Sequence, residues 1–254
     1  MSLTKPLFAL LNALLLTAGS VVHANDSSVD LKLSVGVSSQ SSNEVQIPNN
    51  TQSTRFSLED FTGSAPLPAI RLEGIWNINN KHAVRVLLAP LSYSETGEIN
   101  QPIRFAGESF NTDSPVTGEY RFNSWRVGYR YHLRDRSNWD LWLGGTLKVR
   151  DAEIKLIQGA TSSSDDDLGL VPLLHLAGEY RLGGNWLLAA DIDALAGGPG
   201  RAIDLGLSAN YKIGTNWTVG AEYRLLEGGA DTDAVYNFAL FNSLLTTVQY
   251  RPAR

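Results

Sequence analysis

From Val29 onward, apolar and polar residues alternate along the chain with the period of two that marks a strand with unlike faces. The first run sets Val29, Leu31, Leu33, Val35 and Val37 against Asp30, Lys32, Ser34 and Gly36, and the second sets Ile70, Leu72, Trp76 and Ile78 against Arg71, Glu73 and Asn77. Further runs begin near Ala83, Val116, Trp139, Leu170, Trp186, Ala202, Trp217 and Phe238, which brings the number of predicted strands to ten. The connections alternate in length. They are short at Asn79 to His82, Arg134 to Asn138, Gly183 to Asn185 and Gly214 to Asn216, and mostly longer on the other side. An even number of strands with this asymmetry predicts an all-β fold: a closed antiparallel transmembrane β-barrel with short periplasmic turns, longer external loops and both ends in the periplasm.

Aromatic residues cluster beside the short connections: Trp76, Tyr131, Trp139, Tyr180, Trp186, Tyr211, Trp217 and Tyr250. An indole or phenol has an apolar body and a hydrogen-bonding tip, so it rests where hydrocarbon meets headgroups. A strand of a soluble sandwich also alternates, but a soluble protein has no need of aromatics at one end of successive hairpins.

Hydrophobic residues form 43% of the 254 positions, yet beyond the first two dozen no apolar stretch reaches the roughly 18 residues of a spanning helix. Any crossing must use strands. The N-terminal residues read as a leader: Lys5 precedes an apolar run from Leu7 to Leu16, and small residues lead to Ala24 with polar Asn25 beyond. The expected division is a cleaved signal peptide over 1–24 and one barrel domain over 25–254. There is no cysteine, which removes disulfides, thiolate metal sites and a lipidated cysteine. A net charge of -5 with no basic run argues against nucleic acid.

The final run carries Leu240, Leu244, Val248 and Tyr250 in alternation, with an aromatic at its end followed by Arg251, Pro252, Ala253 and Arg254. This pattern resembles the last strand of Gram-negative outer-membrane β-barrel proteins, a resemblance of architecture that spans nearly the whole chain after the leader. It implies a location in the cell outer membrane. The implied partners are outer-membrane lipid, lipopolysaccharide and the barrel-assembly machinery.

With the apolar set facing lipid, the alternate set faces the lumen and is densely charged. The expected lumen network comprises Arg71, Glu73, Arg85, Arg126, Arg130, Lys148, Arg150, Asp191, Asp193, Asp204, Glu222, Arg224 and Glu227. Positives concentrate on strands two to five and negatives on strands seven to nine, so opposite walls attract. Eight strands already leave a bore that side chains fill, so ten strands lined by long charged residues predict a plugged or very narrow lumen. The alternative is a path for a small solute guided by the two charged walls.

Asp191 and Asp193 share the inward face, with His175 on the neighbouring strand, and an acid pair beside a histidine can activate water. Ten-stranded outer-membrane proteases of the omptin type use aspartates and an Asp–His pair, so the architecture permits a hydrolase for lipid or peptide, although the wider pattern of that family is missing. Lipid A deacylases place their histidine toward lipid, whereas His175 is expected inside. The run Ser162 to Asp167 is expected in an external loop, where it would be solvated or share a divalent cation with lipopolysaccharide. Gly197 and Gly228 are expected in external turns, and the polar segment from Ser39 to Pro66 in a long loop with Phe56 and Phe61 as contact residues. No metal or cofactor site is expected. The leading reading is a non-enzymatic envelope barrel, structural, surface-interacting or a narrow passage for small solutes.

Overall fold

The structure, a computed structural model, describes residues 27–136, 138–198 and 200–252, without the side chains of 134–136. The leader expected over 1–24 lies outside the described residues. In chain order the elements are β1 (Ser28–Gln46), β2 (Phe56–Ser57), a single helical turn α1 (Glu59–Thr62), β3 (Leu67–Asn77), β4 (His82–Ala89), β5 (Ser92–Gly97), β6 (Ile103–Phe105), β7 (Glu108–Phe110), β8 (Val116–Arg136), β9 (Trp139–Gln158), β10 (Thr161–Gly183), β11 (Trp186–Gly197), β12 (Gly200–Ile213), β13 (Trp217–Asp231) and β14 (Tyr236–Tyr250). Ten of these form the wall, antiparallel throughout, in the order β1, β3, β4, β8 to β14, with β5 continuing β4 along β8. β14 then pairs back onto β1 from Leu31↔Tyr250 to Gln46↔Tyr236 and closes the barrel.

The period of two decides which atoms meet lipid. Val127, Leu174 and Leu244 are 58%, 66% and 66% exposed, and many other Leu, Val and Ile side chains on the outer face are similarly open. A ring of this size would aggregate in water, and it fits hydrocarbon. At its lower edge the aromatics pair across strands: Trp139 with Tyr180, Trp186 with Tyr211 and Trp217 with Tyr250, with ring centroids 4.5, 5.2 and 4.9 Å apart. Tyr131 packs on His82, and Trp76 is exposed on the same band.

Above the band the strands run on. β8, β9 and β10 reach well past the runs read in the sequence, so Ser162 to Asp167 is not a loop: it lies in β10, paired with residues 152–157 of β9. Alternation persists there in polar residues (Ser, Asp), which hides a strand from a hydrophobicity pattern. Similarly, Ser39–Gln46 belongs to β1, and Gly228 lies inside β13 opposite Ala202, while Gly197 is at the β11–β12 turn as expected. A bulge between Gln40 and Ser42 in β1 inserts one residue and so turns Asn43 and Val45 inward.

The two long external connections do not extend into solvent. Residues 47–66, carrying β2 and α1, and residues 98–115, carrying the β6–β7 hairpin, fold over the mouth. Their Phe56, Leu58, Phe105 and Phe110 join Val45, Leu156 and Phe241 of the wall in an apolar core. The hairpin turns through Ala106 and Gly107 at φ 47° and 91°, the left-handed pair that a two-residue connection needs. Phe56 and Phe61, expected as contacts for a partner, are buried in this cap. The cap is pinned to the wall by Gln40 Nε2 donating to Thr62 Oγ1 at 3.2 Å and to the Gly63 carbonyl oxygen at 3.0 Å.

Closure also sets a steric limit at Gly36, where a Cβ would stand 2.1 Å from the carbonyl oxygen of Leu244 on the closing strand. Gly36→Val is expected to force β1 and β14 apart and lower the unfolding free energy by about 1–3 kcal/mol, the usual cost of overpacking. Urea unfolding from lipid vesicles, followed by tryptophan fluorescence, measures it; an unchanged midpoint would show that the seam is loose.

Candidate functional site

Midway up the lumen, the inward positions of both walls carry charges long enough to meet. Asp193 on β11 receives Arg126 Nη1 of β8 at 2.7 Å, Arg85 of β4, and Thr146 Oγ1 of β9 at 3.0 Å. Asp204 on β12 receives Arg126 Nη2 at 2.5 Å, Arg224 Nη1 at 2.5 Å and Arg71 Nη1 at 3.3 Å. Arg224 also spans both oxygens of Asp191 at 2.7 Å, and its Nε donates to Glu222 at 2.7 Å. Lys32 pairs with Glu222 at 2.6 Å, and Arg85 Nε stands 3.0 Å from Glu73. Five cations (Lys32, Arg71, Arg85, Arg126, Arg224) therefore interlock with five carboxylates (Glu73, Asp191, Asp193, Asp204, Glu222). Most of these side chains are almost wholly shielded, so each charge is compensated by its partners and not by water.

The network crosses the bore. Arg126 lies three strands from Asp193 around the wall, and Arg71 lies four strands from Asp204 by way of β1, β14 and β13. The space left among Lys32, Arg71, Glu73, Arg85, Asp191 and Glu222 is about 10 Å³, at the threshold for a single water.

Of the three residues proposed for hydrolysis, His175 stays with Asp193 and Asp191 is parted from them. His175 Nδ1 is 2.8 Å from Asp193 Oδ1, and Arg85 Nη1 packs against the same ring. Asp191 turns instead to Arg224. His175 and Asp193 are each 3% exposed, and the four groups on Asp193 occupy the roughly four acceptor sites of a carboxylate. The free space beside Arg85 and Asp191 is the same gap of about 10 Å³.

Of the other charges expected in the lumen, Arg130 lies lower, its guanidinium 4.7 Å from the centre of the Trp142 ring. Lys148 and Arg150 lie above the network: Lys148 Nζ sits 4.2 Å over the Phe122 ring, and Arg150 pairs with Asp167. Glu227 is a correction. It stands an odd number of residues from Glu222 and Arg224, so the pleat turns it outward, where it pairs with the exposed Arg201 at 2.5 Å.

Several contributors were not singled out in the sequence. Lys32, Ser124 and Thr146 are short of the charged pattern or isolated within it. The periplasmic mouth is a polar basin of about 380 Å³ bounded by Asp30, Arg130, His132, Asp140, Glu179 and Arg251. Arg251, one of the residues trailing the last aromatic, folds across this basin, its Nη1 donating to Glu179 at 2.9 Å. Burial disfavours the Arg251 charge, but Glu179, backed by Asp30 and Asp140, more than reverses this and holds the guanidinium above the ordinary arginine value. At the opposite end, burial and then the like charges of Asp166 and Asp167 push Asp165 above the usual carboxylate range.

The barrel is similar to the outer membrane protease OmpT of Escherichia coli, with a TM-score of 0.52 and 13% identity over 92% of this chain and 99% of that one. The translocator domain of the autotransporter NalP from Neisseria meningitidis, with a TM-score of 0.43 and 13% identity, aligns over 98% of both chains. Neisserial surface protein A aligns at 0.38 and 13% over 89% of this chain and 99% of its own. No protein-family model and no curated protein matches the sequence. The fold is that of a Gram-negative outer-membrane β-barrel, and at these identities the likeness reaches no further than fold.

Removing one partner from a buried, multiply bonded charge strands the others, so Asp193→Ala is expected to cost about 3–5 kcal/mol of folding free energy. Glu227→Ala, at an exposed rim pair, is expected to cost less than about 1 kcal/mol. Urea titrations of the two variants in the same vesicles compare them; equal midpoints would deny that the lumen charges hold the barrel together.

Proposed function

We propose that this protein is a non-enzymatic barrel of the outer membrane whose lumen is sealed against axial passage. The observation that carries this reading is the ten-charge network joining opposite walls. It fills the middle of the bore, and the apolar cap lies over it. An axial channel for ions needs a continuous polar path with sites that bind weakly enough to release. Here the polar groups bind one another, and beyond Lys148 and Arg150 the cap closes the mouth with phenylalanine and leucine. A porin-like role, even for small solutes travelling along the axis, has no space to operate in. An embedded hydrolase would need the His175 and Asp193 atoms that the network already occupies. What the geometry favours is a rigid wall whose outer surface, rims or side do the work, in contact with outer-membrane lipid and lipopolysaccharide.

Planar-bilayer recording of the reconstituted barrel is expected to give no unitary current in 1 M salt, a condition that screens surface charge while leaving buried pairs in place. The double variant Arg85→Ala, Arg126→Ala removes the two arginines that bridge to Asp193 and is expected to raise the frequency of leak events. A steady unitary conductance from the unaltered protein would overturn the sealed lumen.

A further inference from the structure

The wall is interrupted between β3 and β4, where residues 67–71 pair with β1 alone, and over a longer stretch between β10 and β11. The β10–β11 ladder runs only from Gly183↔Trp186 up to Leu174↔Ala194, so residues 161–173 of β10 pair with β9 alone. The ladder ends six residues above Tyr180 and eight above Trp186, the girdle aromatics of these two strands. A tilted strand needs about nine to eleven residues to cross the hydrocarbon. The gap therefore begins within the outer part of the apolar band. An open strand edge facing lipid is costly unless it lines a cavity, and one does lie behind it: a chamber of about 680 Å³ under the cap. That volume is within the range of about 300–1,000 Å³ typical of small-molecule sites.

The sequence makes the room. On the β11–β13 side the chamber is lined by Gly197, Gly200, Ala202, Gly228 and Ala230, while β8 and β9 opposite present Phe122, Lys148, Arg150 and Ile154. A Cβ added at Gly228 would reach no atom closer than 3.6 Å, so no close packing forces glycine at this position. The edge of the opening is apolar: Leu168, Leu170 and Leu174 are 75%, 67% and 66% exposed, and Pro172, which has no N–H to leave unpaired, sits in the open stretch.

The floor of the chamber is cationic. Lys148 is 2% exposed, has no carboxylate partner among the described residues, and rests its ammonium on the Phe122 ring. Arg150 gives one nitrogen to Asp167, while its Nε is buried without a partner. A buried donor without an acceptor is costly, and an anion brought to this point would satisfy Arg150 Nε and meet the Lys148 ammonium. Glu153, Asp165, Asp166 and Asp167 also line the chamber, further along β9 and β10 toward their turn, so its cationic floor faces an acidic upper end.

We propose that the gap is a lateral portal, and that the chamber takes a single-chain amphiphile of the fatty-acid class. Its carboxylate meets Lys148 and Arg150, and its tail lies along Val171, Pro172 and Leu195 toward the outer leaflet. This rests on the sealed lumen argued above, because the floor that stops axial passage is what makes the chamber a site with a side access.

The test uses the full barrel in phosphatidylcholine nanodiscs with cis-parinarate as the fluorescent probe. Saturable binding at one probe per barrel, above that of empty discs, is expected. Lys148→Met, which keeps the apolar stem, is expected to weaken it by about tenfold, the loss of one charge-assisted contact. Ala202→Phe is expected to abolish it by filling the chamber. Oleate should displace the probe and a two-chain phosphatidate should not. Absence of saturable binding, parinaryl alcohol binding as tightly as the acid, or equal displacement by phosphatidate would each overturn the proposal, and the last two do so whether or not a variant folds. Conductance recorded on the same preparation separates the two readings: current with intact probe binding sinks the sealed lumen alone, and no current with no binding sinks the portal alone.

Discussion

Hydrocarbon offers no hydrogen bonds, and this one constraint organises the molecule. Each backbone N–H or C=O left open in it costs several kcal/mol, so a chain without an apolar helix can cross only as a sheet closed on itself. The β1–β14 ladder, which joins residues 190 to 219 apart in sequence, is the consequence. Gly36 shows how tightly the closing strands approach, since there a side chain would have to displace the carbonyl of Leu244. The same constraint gives weight to the long interruption between β10 and β11. Where the rule is relaxed, the structure supplies a cavity, a proline and small residues that together reduce its cost.

Closure produces two surfaces with opposite requirements, and the chain meets both by alternation. The outer face is filled with Leu, Val and Ile. The inner face changes character with height: a polar basin with Arg251 and Glu179 at the periplasmic mouth, the interlocked charges at mid-height, and then aromatic and aliphatic residues beneath the cap. The cap completes the top. Without it, Val45, Leu156 and Phe241 would face water inside the barrel, and with it they join a core. The barrel thus has the interior of a soluble protein in its upper part and a buried electrolyte below, and Lys148 over Phe122 marks the boundary.

The strands were legible in the sequence because their outer face is apolar, and for the same reason the reading failed wherever the wall leaves lipid. The Ser162 to Asp167 run pairs as regularly as the lower part of β10, but nothing in it is hydrophobic. The cap was illegible for another reason. Phe56, Phe61, Phe105 and Phe110 are spread over two connections and acquire a common core only when the barrel brings those connections together. The charged residues of the lumen were readable from parity, which places Arg85, Arg126, Asp193 and Asp204 inward; parity counted loosely also misplaced Glu227. Partners could not be read at all. Which carboxylate Arg126 meets depends on strand tilt and side-chain reach, and the split of Asp191 from His175 follows from a register that sets His175 opposite Asp193 and Asp191 opposite Ala177.

The interior charges do more than fill space. If both faces of these strands were apolar, a slip of one residue between neighbours would leave the outside equally acceptable to lipid, and register would be weakly specified. With Arg126 and Arg224 inside, a one-residue slip turns a guanidinium toward the bilayer midplane, at about 2–4 kcal/mol for each such residue. The charges also keep an unfolded chain of ten half-apolar strands from presenting a continuous hydrophobic surface before it reaches the membrane. Their mutual pairing then removes the desolvation penalty once the wall is closed, and only in the correct register do five cations meet five carboxylates. The plug is thus explained by assembly as much as by occlusion. That leaves the outer half of the barrel, where the lumen charges thin out, Lys148 rests on a ring and Arg150 keeps an unpartnered Nε, as the part of the interior that register alone does not account for.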